Sequence, residues 1–375
     1  MTQPYRAGMI GARKIMQAGG LGQVGTTIQR SLSGEMPQRV PRRAAPRSLL
    51  DGMMNNFQDA MDNFQSFNPF TPPEHVPLPP LRGSFTEVRF ATSAGNRNYK
   101  LYVPACAESG VALPLVVMLH GCTQSPDDFA AGTRMNHWAE RDGFLVCYPA
   151  QSASANGQKC WNWFNDGDQK RDLGEPALIA GMTREVMRHH PVDQARVYVA
   201  GLSAGGALAA TMGQVYPDLY AAVGVHSGLA CGAAHDISSA FSAMRQGGSV
   251  AGRTGSPARV PTIVFHGDRD STVNAVNGDE VAAQAIHRAA VRAETENGDV
   301  PGGHAYQRTR YLDTTGRAIV EQWAIHGAGH AWAGGSAAGS YTDPRGPDAS
   351  GEMLRFFSEH AGSALIEPDR THTDG

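Results

Sequence analysis

Between residues 85 and 325 the apolar positions of this chain fall into short runs, separated by longer stretches with helical spacing. Residues 85–91 and 98–103 flank a turn at Ala94-Gly95-Asn96 and predict an opening antiparallel pair. Residues 113–119, 144–148, 197–200, 222–226, 263–266 and 319–325 are nearly unbroken apolar runs, the pattern of strands covered on both faces. Between them, residues 128–142, 175–189, 205–216 and 280–290 read as helices. Such alternation predicts an α/β fold: a mostly parallel central sheet, helices on both faces, and an active site at the carboxyl ends of the strands. No internal repeat is visible.

The first 80 residues follow a different pattern. Met9, Ile10, Ile15, Met16, Leu21, Val24, Ile28 and Leu32 suggest one or two amphipathic helices interrupted at Gly19-Gly20. Met53, Met54, Phe57, Met61, Phe64 and Phe67 suggest a short helix before Pro69, and the Pro/Arg-rich residues 36–47 read as a linker. The expected organisation is a helical N-terminal extension over 1–80, a main domain over 81–363 and a flexible tail over 364–375. The Met/Phe stripe suits packing on the main domain, with a hydrophobic granule surface as the other candidate partner. Residues 1–30 lack a continuous apolar segment followed by a small-residue cleavage site, so a cytoplasmic location is expected. Gly20, Gly22 and Gly25 fit a dinucleotide fingerprint letter for letter, but no strand precedes them, and nucleotide binding is discounted.

The chemistry concentrates after the strand-like runs. Gly201-Leu202-Ser203-Ala204-Gly205 sits between the run 196–200 and a small-residue helix, where a tight strand-to-helix turn needs glycine on either side of an exposed serine. Ser203 is therefore the candidate nucleophile. The run 261–265 leads into a loop with two carboxylates, of which Asp270, farther out, is expected to orient a base, while Asp268 beside Gly267 reads as a turn former. The run 319–325 leads into His326-Gly327-Ala328-Gly329-His330, and His330 is the expected base, with His326 its nearest competitor among 14 histidines. The backbone N–H groups of Cys122, after the run 113–119, and of Ala204 are the expected oxyanion donors. Nucleophile, acid and histidine thus occur in the chain order of an α/β-hydrolase fold.

Composition narrows the partners. A formal net charge of −3 and a pI near 6.5 argue against nucleic acid, and no apolar run is long enough to span a membrane. No metal and no cofactor are expected, because no His/Cys cluster has zinc spacing and no His-Glu-x-x-His occurs.

His120-Gly121-Cys122-Thr123-Gln124, Cys160-Trp161-Asn162-Trp163-Phe164, the Gly-Leu-Ser-Ala-Gly-Gly elbow and Gly-Ala-Gly-His-Ala-Trp, taken together over residues 85–360, resemble the esterase family of poly(3-hydroxybutyrate) depolymerases. Feruloyl and acetylxylan esterases are similar in these motifs. The resemblance implies hydrolysis of a polyester, or alternatively of acyl esters on plant polymers, with Ser203, Asp270 and His330 as the triad. One departure is that Trp332 is followed by Ala333-Gly334-Gly335 where the family often has proline. Trp161, Trp163 and Trp332 are candidates for the wall of an acyl site, with core packing as their other reading. The resemblance also supports a Cys122–Cys160 disulfide joining two active-site loops, whereas a cytoplasmic location opposes it.

Overall fold

The computed structural model describes residues 79–92, 95–248, 260–287 and 289–362, all within one compact unit, Asn56–Gly375. The amphipathic pattern, linker and glycine fingerprint expected within 1–78, and the tail at 364–375, lie outside the described residues.

Ten strands form one sheet: β1 (Ser84–Thr92), β2 (Gly95–Val103), β3 (Leu113–Leu119), β4 (Leu145–Pro149), β5 (Val192–Leu202), β6 (Ala222–His226), β7 (Thr262–Gly267), β8 (Arg292–Asp299), β9 (Ala305–Leu312) and β10 (Ala318–Ile325). Their spatial order is β1-β2-β4-β3-β5-β6-β7-β10-β9-β8, with β4, β3, β5, β6, β7 and β10 running parallel and antiparallel pairs at both edges. Two short strands, β11 (Trp332–Ala333) and β12 (Thr342–Asp343), pair separately.

The unbroken apolar runs are explained by two covered faces. In β3, Leu115, Val117 and Leu119 pack into one core with α3 (Gly174–His189), α4 (Ala204–Val215), α5 (Ile237–Gln246) and α6 (Val276–Ile286). The alternate residues Val116 and Met118 pack into the opposite core with α1 (Pro126–Thr133), α2 (Met135–Asp142) and α7 (Ala349–Ser358). A strand between two helical layers has no polar side, so its sequence loses the two-residue alternation of a half-exposed strand.

Three elements differ from the sequence expectation. The single helix expected over 128–142 is two, α1 and α2, because Arg134 takes a left-handed conformation with φ 55°. Its guanidinium donates to the Gly334 carbonyl at 2.8 Å, a tertiary tether that local propensity does not reveal. The hairpin β8–β9 is charged rather than apolar, with Glu294 opposite Arg310 and Glu296 opposite Arg308 in register and in ion pairs. Charges on an edge discourage pairing with another chain, and they erase the apolar signal of a strand. The expected helix at 280–290 is α6, which starts earlier at Val276.

Candidate active site

Ser203 links β5 to α4 at φ 58° and ψ −120°, a conformation that costs of order 1–3 kcal/mol for a residue with a Cβ. The surrounding backbone enforces it. A Cβ on Gly205 would lie 2.1 Å from the Leu119 carbonyl oxygen, and one on Gly201 would lie 2.4 Å from the Gly205 backbone. Glycine is required at both positions by close backbone approach, and the Ser203 N–H is held by the His226 carbonyl at 2.9 Å. Ser203 is 5% exposed.

The next two residues come from neighbouring parallel strands. Asp270 follows β7 and His330 follows β10, which pair in register over Val320–Ile325. His330 Nδ1 donates to Asp270 Oδ2 at 2.7 Å, and both side chains are buried. Asp270 Oδ1 accepts the N–H groups of Thr272 at 2.9 Å and Val273 at 2.8 Å, which fixes the carboxylate plane. Burial by itself would raise the Asp270 carboxyl, but the facing imidazoles of His330 and His266 and their hydrogen bonds outweigh it and hold the group well below the usual carboxylate range. His330 Nε2 is buried without a partner, so no Ser203 Oγ to His330 Nε2 hydrogen bond is formed in this structure. In ligand-free sites such bonds are often long and tighten only around substrate.

The competing pair has a different place. Asp268 and His326 are both about half exposed and bond to each other at 3.0 Å, with the Gly327 N–H on Asp268 at 2.7 Å. Together they staple the loop after β7 to the loop after β10, outside the buried pair.

The loop after β3 presents one backbone donor in a distinct state. Gly121 N–H is taken by the Gln124 side chain, Thr123 N–H by the Gln158 carbonyl at 2.7 Å, and Gln124 N–H by the Gly121 carbonyl. Among the described residues the Cys122 N–H has no acceptor, and neither does that of Ala204, which opens α4, where the first amides lack intrahelical partners. The tight approach of Leu119 and His120 to Gly205 brings this loop beside the N-terminus of α4. A disulfide joins Cys122 to Cys160. Beneath it, Gln151 donates to the Cys160 carbonyl and to Glu175, whose carboxylate also takes the Asn162 N–H at 2.7 Å. Burial pushes the Glu175 carboxyl up to about 7.

Two of the three tryptophans depart from the expectation of an acyl wall. Trp161 and Trp332 are each 1% exposed. Trp161 donates its indole N–H to the His120 carbonyl at 3.0 Å, and Trp332 donates to Ser350 Oγ at 3.1 Å while packing on Phe129 and His226. Their faces are spent on protein, and they brace the two loops from behind. Trp163, 6% exposed, packs edge-on to Phe164.

A model of the esterase PHB depolymerase family matches residues 97–300, more than half of the chain. The chain belongs to that family. It is 33% identical over 255 residues to poly(3-hydroxyalkanoate) depolymerase C of Paucimonas lemoignei, covering 64% of this chain and 60% of that protein. It is 30% identical over 241 residues to feruloyl esterase B of Thermothelomyces thermophilus, covering 59% of this chain and 80% of that protein. The chain therefore spans less than two thirds of the length of the depolymerase it matches. Among solved structures, an acetyl xylan esterase from Aspergillus awamori superposes with a TM-score of 0.56 at 21% identity, over 73% of this chain and 99% of that one, which supports the α/β-hydrolase fold.

Two buried histidines near the site escape the sequence reading. His266 places Nε2 3.5 Å from Asp270 Oδ2, the oxygen that also meets His330, and 2.9 Å from the Val273 carbonyl. His226 lies under the elbow. Each sits at or near the end of a strand, the only signal they share with His330, and in an apolar run a terminal histidine reads as part of the strand.

Proposed function

We propose that this chain is a serine carboxylic-ester hydrolase, and that its substrate is a poly(3-hydroxyalkanoate) such as poly(3-hydroxybutyrate). The observation that carries the reading is the buried Asp270–His330 pair, set at adjacent strand ends with Nε2 left unpartnered on the side away from the carboxylate. Asp270 keeps the proton on Nδ1, so Nε2 is free to take one. In the first step Ser203 Oγ attacks the ester carbonyl, its proton passes to His330 Nε2, and the carbonyl π pair moves to oxygen. The Cys122 and Ala204 N–H groups face this oxyanion, each worth about 3 kcal/mol of barrier. Collapse expels the alcohol, which takes the proton from His330. Water then attacks the acyl-enzyme by the same route in reverse and frees Ser203.

The depolymerase substrate is favoured by the family match and by the relative from Paucimonas lemoignei. Feruloyl or acetylxylan ester hydrolysis is the second reading, favoured by the 80% coverage of the Thermothelomyces thermophilus enzyme. Trp163 and Phe164 are the proposed aromatic edge toward the acyl chain, and the segment 1–80 is the proposed contact with a hydrophobic granule. The Cys122–Cys160 bridge suits an oxidising compartment better than the cytoplasm. The deciding assay follows turbidity of a poly(3-hydroxybutyrate) suspension beside ferulate release from methyl ferulate, with Ser203→Ala as control. Clearance of the suspension without ferulate release is expected; ferulate release alone would overturn the polyester reading, and full activity of Ser203→Ala would overturn the serine mechanism.

A further inference from the structure

His226 ends β6 between the elbow and β7, facing Leu202 on one side and Phe265 on the other in register. Its carbonyl accepts the Ser203 N–H at 2.9 Å, and the same oxygen lies 3.0 Å from where a Cβ on Gly206 would stand. Its ring reaches the other way. Nε2 accepts the Ala333 N–H at 3.0 Å, three residues beyond His330, while Nδ1 meets Ser227 Oγ at 3.1 Å. Because a backbone amide only donates, Nε2 must be bare, so the proton is on Nδ1 and points at the Ser227 hydroxyl. The imidazole is stacked on Trp332, with ring centres 5.2 Å apart, and on Phe265 at 5.8 Å.

Trp332 is itself locked. Its indole N–H goes to Ser350, whose hydroxyl donates to the Thr133 carbonyl at 2.7 Å, and its backbone N–H goes to Tyr341 at 2.7 Å. The segment after His330 therefore has a fixed outer wall, and His226 supplies the inner one. No other described residue bonds both the Ser203 N–H, through its backbone carbonyl, and the segment after His330, through its side chain.

We infer that His226 is a positioning residue that sets the distance between the Ser203 elbow and the His330 loop, acting as a neutral hydrogen-bond acceptor for Ala333. This rests on Ser203 and His330 being the nucleophile and base. It goes beyond that reading because His226 touches neither substrate nor a reacting atom. Burial, reinforced by His266 and His330 and opposed by Asp270, lowers the imidazole to about 3, so the acceptor persists through the working pH range.

The test compares His226→Phe and His226→Gln with the unaltered full chain on p-nitrophenyl butyrate, at a temperature where circular dichroism shows every variant folded. Phenylalanine keeps the stacking and removes the acceptor. It is expected to lower kcat roughly 10²-fold with KM changed less than about twofold, since a misplacement near 1 Å between reacting groups is enough for that loss. Glutamine, whose side-chain oxygen can accept the Ala333 N–H, is expected to restore most of kcat. A folded His226→Phe with unchanged kcat overturns the inference, as does a glutamine variant that recovers the melting temperature but not kcat. Should the phenylalanine variant not fold, 15N spectra of the unaltered protein decide: a proton on His226 Nε2 at pH 7 overturns the inference, and a bare Nε2 supports it. Ser203→Ala is run alongside, because retained activity there refutes the triad itself, whereas loss there with full activity in His226→Phe refutes only the role of His226.

Discussion

Asp270→Asn tests the assignment of the acid with a magnitude that the hydrogen bonds define. In the native chain Oδ1 accepts two backbone N–H groups, from Thr272 and Val273, and Oδ2 accepts from His330. An asparagine has one oxygen and one NH2 for these two faces. Turning the NH2 toward two backbone donors would leave them unsatisfied at about 1–3 kcal/mol each, so the oxygen stays with Thr272 and Val273. The NH2 then faces His330, which must present a bare Nδ1 and carry its proton on Nε2, where it cannot accept from Ser203. Loss of a triad carboxylate by this route costs about 10⁴ in kcat, or roughly 5 kcal/mol of barrier. Asp268→Asn should change kcat by less than about threefold, because that carboxylate is half exposed and exposed pairs contribute about 1 kcal/mol or less. Steady-state hydrolysis of p-nitrophenyl butyrate by both variants measures this. Equal losses, or a larger loss in Asp268→Asn, would refute the argument from the hydrogen-bond pattern.

His226 and His120 are buried and neutral, lowered by burial to about 3 and about 4, so the unfolded chain binds more protons than the native one between those values and about 6.5. Stability then rises with pH across that window, by up to about 1.4 kcal/mol per pH unit for each histidine, and denaturant melts of His120→Phe should show a slope shallower by about that amount; an unchanged slope would contradict it. Gly205→Ala should destabilise by about 3 kcal/mol or more, because the new methyl meets the backbone carbonyls of Leu119 and His120 rather than side chains that can yield; a melt within experimental error of the unaltered chain would show that the elbow can open. Thiol titration of the denatured chain should rise by two groups on prior reduction, owing to the Cys122–Cys160 bridge; no rise would mean that the bridge is absent.

Much of the architecture was written in local pattern. The parallel strands are apolar throughout because helices cover both of their faces, and burial of that kind is visible in residue type alone. Ser203 was legible because its turn tolerates no Cβ at Gly201 or Gly205, a local demand that leaves a local spelling. Asp270 and His330 could be placed at strand ends, but that they, rather than Asp268 and His326, form the buried pair needed the tertiary structure, since both pairs occupy the same two loops and differ in burial and in which backbone groups they meet. The charged hairpin β8–β9 carries no apolar stripe, and its strands exist through pairing with β10. Trp161 and Trp332 look alike in sequence whether they face a ligand or the core, and only packing showed them braced against His120, Phe129 and His226. His226 reads as the last residue of an apolar strand. What it joins, the Ser203 amide and the Ala333 amide, is set by the order of strands in space, which hydrophobic periodicity does not encode.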